Sequence, residues 1–106
     1  MKYDVIVSNY AHDDLGEINK YISWYLHNEK AANRLINKIL NKIKELSIFP
    51  KRYQLCEETT LSKKGIRYLL ANNFKIFFFI DEEKKIVIIL RIIYNKRKIN
   101  DSIFEI

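Results

Sequence analysis

Hydrophobic and polar residues change their period along this chain, and each change marks an element. Tyr3, Val5 and Val7 alternate with Asp4, Ile6 and Ser8, the period-two pattern of a short strand with at least one apolar face. Leu15, Ile18, Ile22 and Tyr25 then recur at helical spacing and predict a helix from about Ala11 to Leu26. Asn9-Tyr10-Ala11-His12-Asp13-Asp14 supplies capping side chains and acids for its N-terminus. Gly16, inside that helix, costs up to ~1 kcal/mol against Ala and points to a close approach to the sheet. After a turn at His27-Asn28, a second helix carries Ala32, Leu35, Ile36, Ile39, Ile43 and Leu46 on one face, limited by Pro50. Residues 51–62 are mixed and polar and read as a loop. Three strands follow, roughly Gly65–Ala71, Phe74–Ile80 and Ile86–Tyr94. The connections Ala71-Asn72-Asn73 and Asp81-Glu82-Glu83-Lys84 are short enough to make them an antiparallel meander. The tail, 99–106, is expected as a short helix or a docked extension.

That order predicts an α+β fold in one domain spanning 1–106. An N-terminal strand and a three-stranded meander form a four-stranded sheet, covered on one face by an antiparallel helix hairpin. Composition agrees: 48% hydrophobic residues, with seven Tyr and six Phe, suit a folded core, and two Gly and one Pro leave no room for long linkers. The single Cys56 excludes an internal disulfide and a zinc framework and fits a reducing cytoplasm. The apolar part of the N-terminus is too short for a signal peptide, and no apolar run approaches the roughly 20 residues of a membrane span. The expectation is a cytoplasmic protein that needs no metal or cofactor.

Charge adds the functional hint. Residues 63–98 hold ten Lys and Arg against three Asp and Glu, a net +7, whereas residues 1–62 hold nine against eight. The cations Arg67, Lys75 and Arg91 interrupt apolar strands, and Asn95-Lys96-Arg97-Lys98 follows the last one. A cation inside a sheet-forming run is costly to bury without a partner or a purpose, so this pattern suggests a polyanionic partner. Strict alternation along the last strand sets Arg91 with Val87, Ile89 and Ile93, opposite the all-apolar Ile88, Leu90, Ile92 and Tyr94. The helices should cover the all-apolar set, leaving Arg91 on the concave, less covered face.

The residues in this order resemble the RelE/ParE family of bacterial toxins of type II toxin–antitoxin systems, over almost the full length. The resemblance rests on Ala11-x-x-Asp14-Leu15-x-x-Ile18-x-x-Tyr21-Ile22, Leu46-x-x-Phe49-Pro50, Gly65-Ile66-Arg67, Phe74-Lys75-Ile76-Phe77-Phe78 and Leu90-Arg91-Ile92-Ile93-Tyr94-Asn95-Lys96-Arg97. It implies a growth-arresting toxin held inactive by a cognate antitoxin, as a homodimer or in a hetero-oligomer with it. Two activities compete. In the RNA-cleaving branch, which works on mRNA at the ribosome, basic residues matching Lys75 and Arg97 bind the scissile phosphate, with Arg67, Arg91 and Lys96 as neighbours for phosphate or antitoxin. Fixed cations there would stabilise charge building on phosphorus. The ParE branch instead poisons DNA gyrase without hydrolysis. A third reading is a degenerate toxin that only binds antitoxin. The retained sheet cations lean the sequence towards mRNA cleavage.

Acid–base groups are the thin part of that case. Where many relatives carry His at the end of the last strand, this chain has Tyr94, which could donate a proton, stack on a base or simply pack. Glu57 and Glu58 are the only acids in the loop facing the groove and match no family motif. Lys30, Arg34, Lys38 and Lys42 recur every four residues along the second helix, either as a solvated face or as a docking surface for an acidic partner. Trp24, Tyr25, Phe77, Phe78 and Phe79 could stack bases, although Phe in a central strand is usually core.

Overall fold

The computed structural model describes residues 2–96. The expected tail element and the candidate Arg97 fall outside that range. The elements are β1 (Asp4–Val7), α1 (Asn9–Lys20), α2 (Glu29–Lys44), α3 (Thr59–Lys63), β2 (Arg67–Ala71), β3 (Phe74–Asp81) and β4 (Ile86–Tyr94), with a π-helical turn at Tyr21–Tyr25 ending the first helix. The sheet order is β1-β4-β3-β2. β1 runs parallel to β4, and the other pairs are antiparallel.

Local chemistry sets the helix ends. Ser8 caps α1, accepting the Ala11 N–H at 3.1 Å, so the helix starts earlier than its apolar stripe suggests. Asn28 caps α2 through the Ala31 N–H, and Glu29, Lys42 and Lys44 are placed favourably for the helix dipole. Between α2 and β2, the stretch read as loop contains α3. Glu58 caps this short helix, accepting from Thr60 and Leu61. Five residues are too few for apolar periodicity to register.

The main core lies between the helices and one sheet face: Ala11, Ile18, Ile39, Ile43 and Leu46 pack on Leu69, Ile76, Phe78, Val87, Ile89 and Ile92. The opposite face is not bare. Cys56, Leu61, Ile66, Phe77 and Ile93 form a second, smaller core beneath α3. Phe77 is thus 1% exposed, Phe78 is buried in the main core, and of the three strand Phe that could stack bases only Phe79 is exposed.

Strict alternation along β4 fails at one residue. Phe77 pairs with Arg91 and Phe78 with Ile89, so Leu90 is an extra residue in a bulge. Before the bulge the helices cover Val87 and Ile89, the residues expected to face away. After it they cover Ile92, as expected. Gly16 also departs from expectation: a Cβ there would meet nothing within 4 Å, so no close approach to the sheet explains it.

Candidate functional site

The sheet face away from α1 and α2 carries a cavity of about 260 Å³ beside the second core. Glu57 and Glu58 come to it from the segment before α3, Tyr68 from β2, Lys75 from β3 and Asn95 from the turn after β4. Register explains the assembly: Tyr68 stands opposite Phe77 and Lys75 opposite Ile93, which turns all four towards this face. The Lys75 ammonium lies 4.7 Å from the centre of the Tyr68 ring, a cation–π contact. Asn95 is tied in place by its N–H, which donates to Asn73 O at 2.6 Å.

The acids of this groove differ in availability. Glu58 is engaged at the α3 cap, and the backbone N–H of Thr60, followed by that of Leu61, holds its carboxyl below the usual range. Glu57 is exposed and has no partner among the described residues. Burial pushes the Cys56 thiol up to about 11, which leaves it protonated and a poor nucleophile at neutral pH.

The other candidate residues lie elsewhere. Arg91, expected on the less covered face, reaches the edge of β4 and pairs with Asp14 of α1, Nε to Oδ2 at 2.8 Å and Nη2 to Oδ1 at 2.8 Å. β1 stops at Val7, opposite Ile89, and leaves that edge open to α1. Ser8 supplies the next contacts, donating its N–H to Ile89 O and its hydroxyl to Leu90 O. Asp14 then accepts the Ile92 N–H at 2.9 Å. The start of α1 therefore continues the ladder that β1 abandons. Arg67 stands opposite Phe78 on the helix-covered side and donates to Tyr53 O at 2.7 Å, anchoring the segment that leads to α3. Tyr94 packs its ring against Phe74, with centroids 5.9 Å apart, and lines an apolar groove of about 750 Å³ with Tyr21, Leu26 and Leu35. The sheet separates Tyr94 from Lys75. Lys96 is exposed beyond the end of β4.

A sequence model described as "ParE toxin of type II toxin-antitoxin system, parDE" matches residues 5–99. The chain belongs to this family of toxins. No curated protein sequence matches it. Among solved structures, it is similar to a chain of the chromosomal ParDE system from P. aeruginosa, with TM-score 0.72 and 21% identity over 88% of this chain and 96% of that one. The RelBE2 toxin–antitoxin complex of Mycobacterium tuberculosis gives 0.66 and 19%, covering 89% and 99%. The archaeal RelE–RelB complex of Pyrococcus horikoshii OT3 gives 0.61 and 14%, covering 92% and 100%. These likenesses share the fold.

Within this toxin, Asp14 is the residue that sequence reasoning undervalued. It stood in the first-helix motif, yet nothing in the spacing of α1 indicates a partner 77 positions away. Tyr68 was likewise missed, because its role depends on which face β2 turns towards Lys75. At the hairpin tip, Tyr21, Trp24, Tyr25 and Leu26 are all exposed, with Tyr25 at 75%. No helix among the described residues is long and apolar enough to cross a membrane.

Proposed function

We propose that this toxin arrests growth as a non-hydrolytic poison of DNA gyrase and is neutralised by a cognate antitoxin. The observation that carries this reading is the dispersal, among the described residues, of the groups that RNA cleavage would need. Cleavage requires cations at the phosphate and an acid and a base within hydrogen-bond reach of it. Among the described residues, Lys75 is the one candidate cation in the groove. Arg91 is paired with Asp14, Arg67 holds loop carbonyls, and Tyr94 lies across the sheet. The match to the ParE family model points the same way. Three similar structures belong to ParDE and RelBE systems, which supports an antitoxin partner.

One observation favours the RNA-cleaving alternative. Lys75, Tyr68 and the free Glu57 share a single cavity, bringing together a cation, a stacking ring and a possible base. Parallel assays separate the two. With purified gyrase the toxin should inhibit supercoiling or trap cleaved DNA, while mRNA on translating ribosomes stays intact. Ribosome-dependent mRNA cleavage that Lys75→Ala abolishes would overturn the proposal, and inactivity in both assays would support a chain that only binds antitoxin.

A further inference from the structure

Trp24 is the only tryptophan of the chain, and it stands 69% exposed at the tip of the helix hairpin. Internal packing does not call for it. The π-helical turn Tyr21–Tyr25 buries none of its residues. Among the described residues, the one cation or ring set against Trp24 is the Lys20 ammonium, 5.8 Å from the ring centre. Tyr21 and Tyr25 lie tilted against each other with centroids 5.4 Å apart, and Leu26 completes an exposed apolar cap. Large apolar side chains gathered in the open mark an interaction site, and π-helical turns, rare elsewhere, recur at such sites.

The charges beside the tip select its partner. Residues 20–44 hold six Lys and Arg against one Glu, a net +5. Lys30, Arg34 and Lys38 recur every four residues along α2, about 6 Å apart at the helical rise, and all three are exposed. No acid pairs with them among the described residues, whereas Lys42 meets Glu45 at 3.7 Å. Elsewhere Arg91, Lys51 and Lys85 are answered by Asp14 and Glu82. On α1 the exposed Asp13 and Glu17 leave no comparable track, so the free cations run down α2 alone. An evenly spaced row of cations suits a repeating phosphate backbone, and rings at one end of that row suit the faces of bases.

We propose that the helix hairpin binds DNA, with Lys30, Arg34 and Lys38 on the phosphates of one strand and Trp24 stacked on a base at the tip. An intact duplex keeps its base faces covered, so the ring gains its contact only where the stack is open, as at a strand break. This inference rests on the gyrase reading, which brings the toxin to DNA that is being cut, and it names the surface that meets that DNA. A ring lodged in the break would hold the ends apart and oppose resealing.

The test titrates the toxin with a labelled duplex carrying a gap of unpaired bases, the same duplex without the gap, and single-stranded RNA of the same sequence, read by anisotropy. The gapped duplex should bind about tenfold tighter than the intact one and quench the Trp24 fluorescence. Its log affinity should fall with log salt at a slope of about −3, close to one unit for each cation of the track. Lys30→Gln with Arg34→Gln should reduce that slope by about two. Trp24→Ala should weaken gapped-duplex binding about tenfold with the slope unchanged, and should lower the trapping of cleaved DNA by gyrase in proportion. Lys84→Gln, at the turn between β3 and β4, should leave DNA affinity within about twofold of wild type. Equal affinity of wild type and Trp24→Ala for the gapped duplex, or no preference for the gap, would overturn the proposal. So would tighter binding of the RNA. A wild type that poisons gyrase without binding DNA would also overturn it and give the tip to the enzyme's protein surface. DNA binding as described, with gyrase unaffected, would refute the gyrase reading and leave the DNA surface standing.

Discussion

Asp14 and Arg91, 77 residues apart, form a two-point ion pair in which both carboxylate oxygens accept from the guanidinium at 2.8 Å. The same carboxylate takes the Ile92 N–H at 2.9 Å, so one side chain both neutralises a strand cation and completes a strand edge. Both side chains are largely buried, at 14% and 16% exposure, which makes removal of one partner expensive for the other.

Asp14→Ala should therefore destabilise the fold by about 3 kcal/mol, because it removes a largely buried two-point ion pair and orphans the Ile92 N–H. Asp14→Asn keeps an acceptor for Ile92 and should cost less. Urea denaturation of the two variants measures the difference, and equal losses would argue against the strand-edge role.

Acid should weaken the contacts around Glu82. The Tyr3 hydroxyl donates to it at 2.8 Å, the Lys85 ammonium lies at 3.0 Å and that of Lys51 at 3.3 Å. The hydrogen bond from Tyr3, followed by that from Lys85, draws the Glu82 carboxyl down to about 2 from its ordinary 4.5. A carboxyl depressed in the folded state stabilises it above the ordinary value, and that contribution fades as pH falls from about 4.5 towards 2. The urea midpoint of Glu82→Gln should fall less steeply than that of wild type across this window, and high salt should narrow the gap.

The second core should fail separately from the first. Phe77→Ala empties a site that is 1% exposed and should cost about 3–5 kcal/mol. Amide exchange should accelerate most around Cys56, Leu61 and Ile66, which pack on that ring. Uniform acceleration across the helix hairpin would show instead that the two cores act as one.

Tyr94→Phe should leave growth arrest intact and change stability by less than about 0.5 kcal/mol, as expected of a half-exposed ring whose packing is retained. The hydroxyl lies across the sheet from Lys75, in the groove with Phe74 and Tyr21. Loss of arrest in a folded Tyr94→Phe would bring this residue back into the activity.

The sequence alone determined the order and kind of the long elements. Period two and period 3.6 are local properties, and side chains two or four residues apart decide them whatever the rest of the chain does. The hairpin of α1 and α2, the meander and the cationic C-terminal third were all legible in this way. The five residues of α3 were not, because one turn of helix held by the Glu58 cap leaves no period to read. The fate of the cations was not legible either, since it depends on two non-local events. β1 ends at Val7, and β4 bulges at Leu90. Together these expose a strand edge to Asp14 and reverse the faces of Val87 and Ile89, which no alternation rule could anticipate. The tertiary structure alone thus decided that Arg91 would be a strut, Arg67 an anchor and Lys75 the groove's cation. A charged side chain takes its role from what it meets, and what it meets is set by distant parts of the chain.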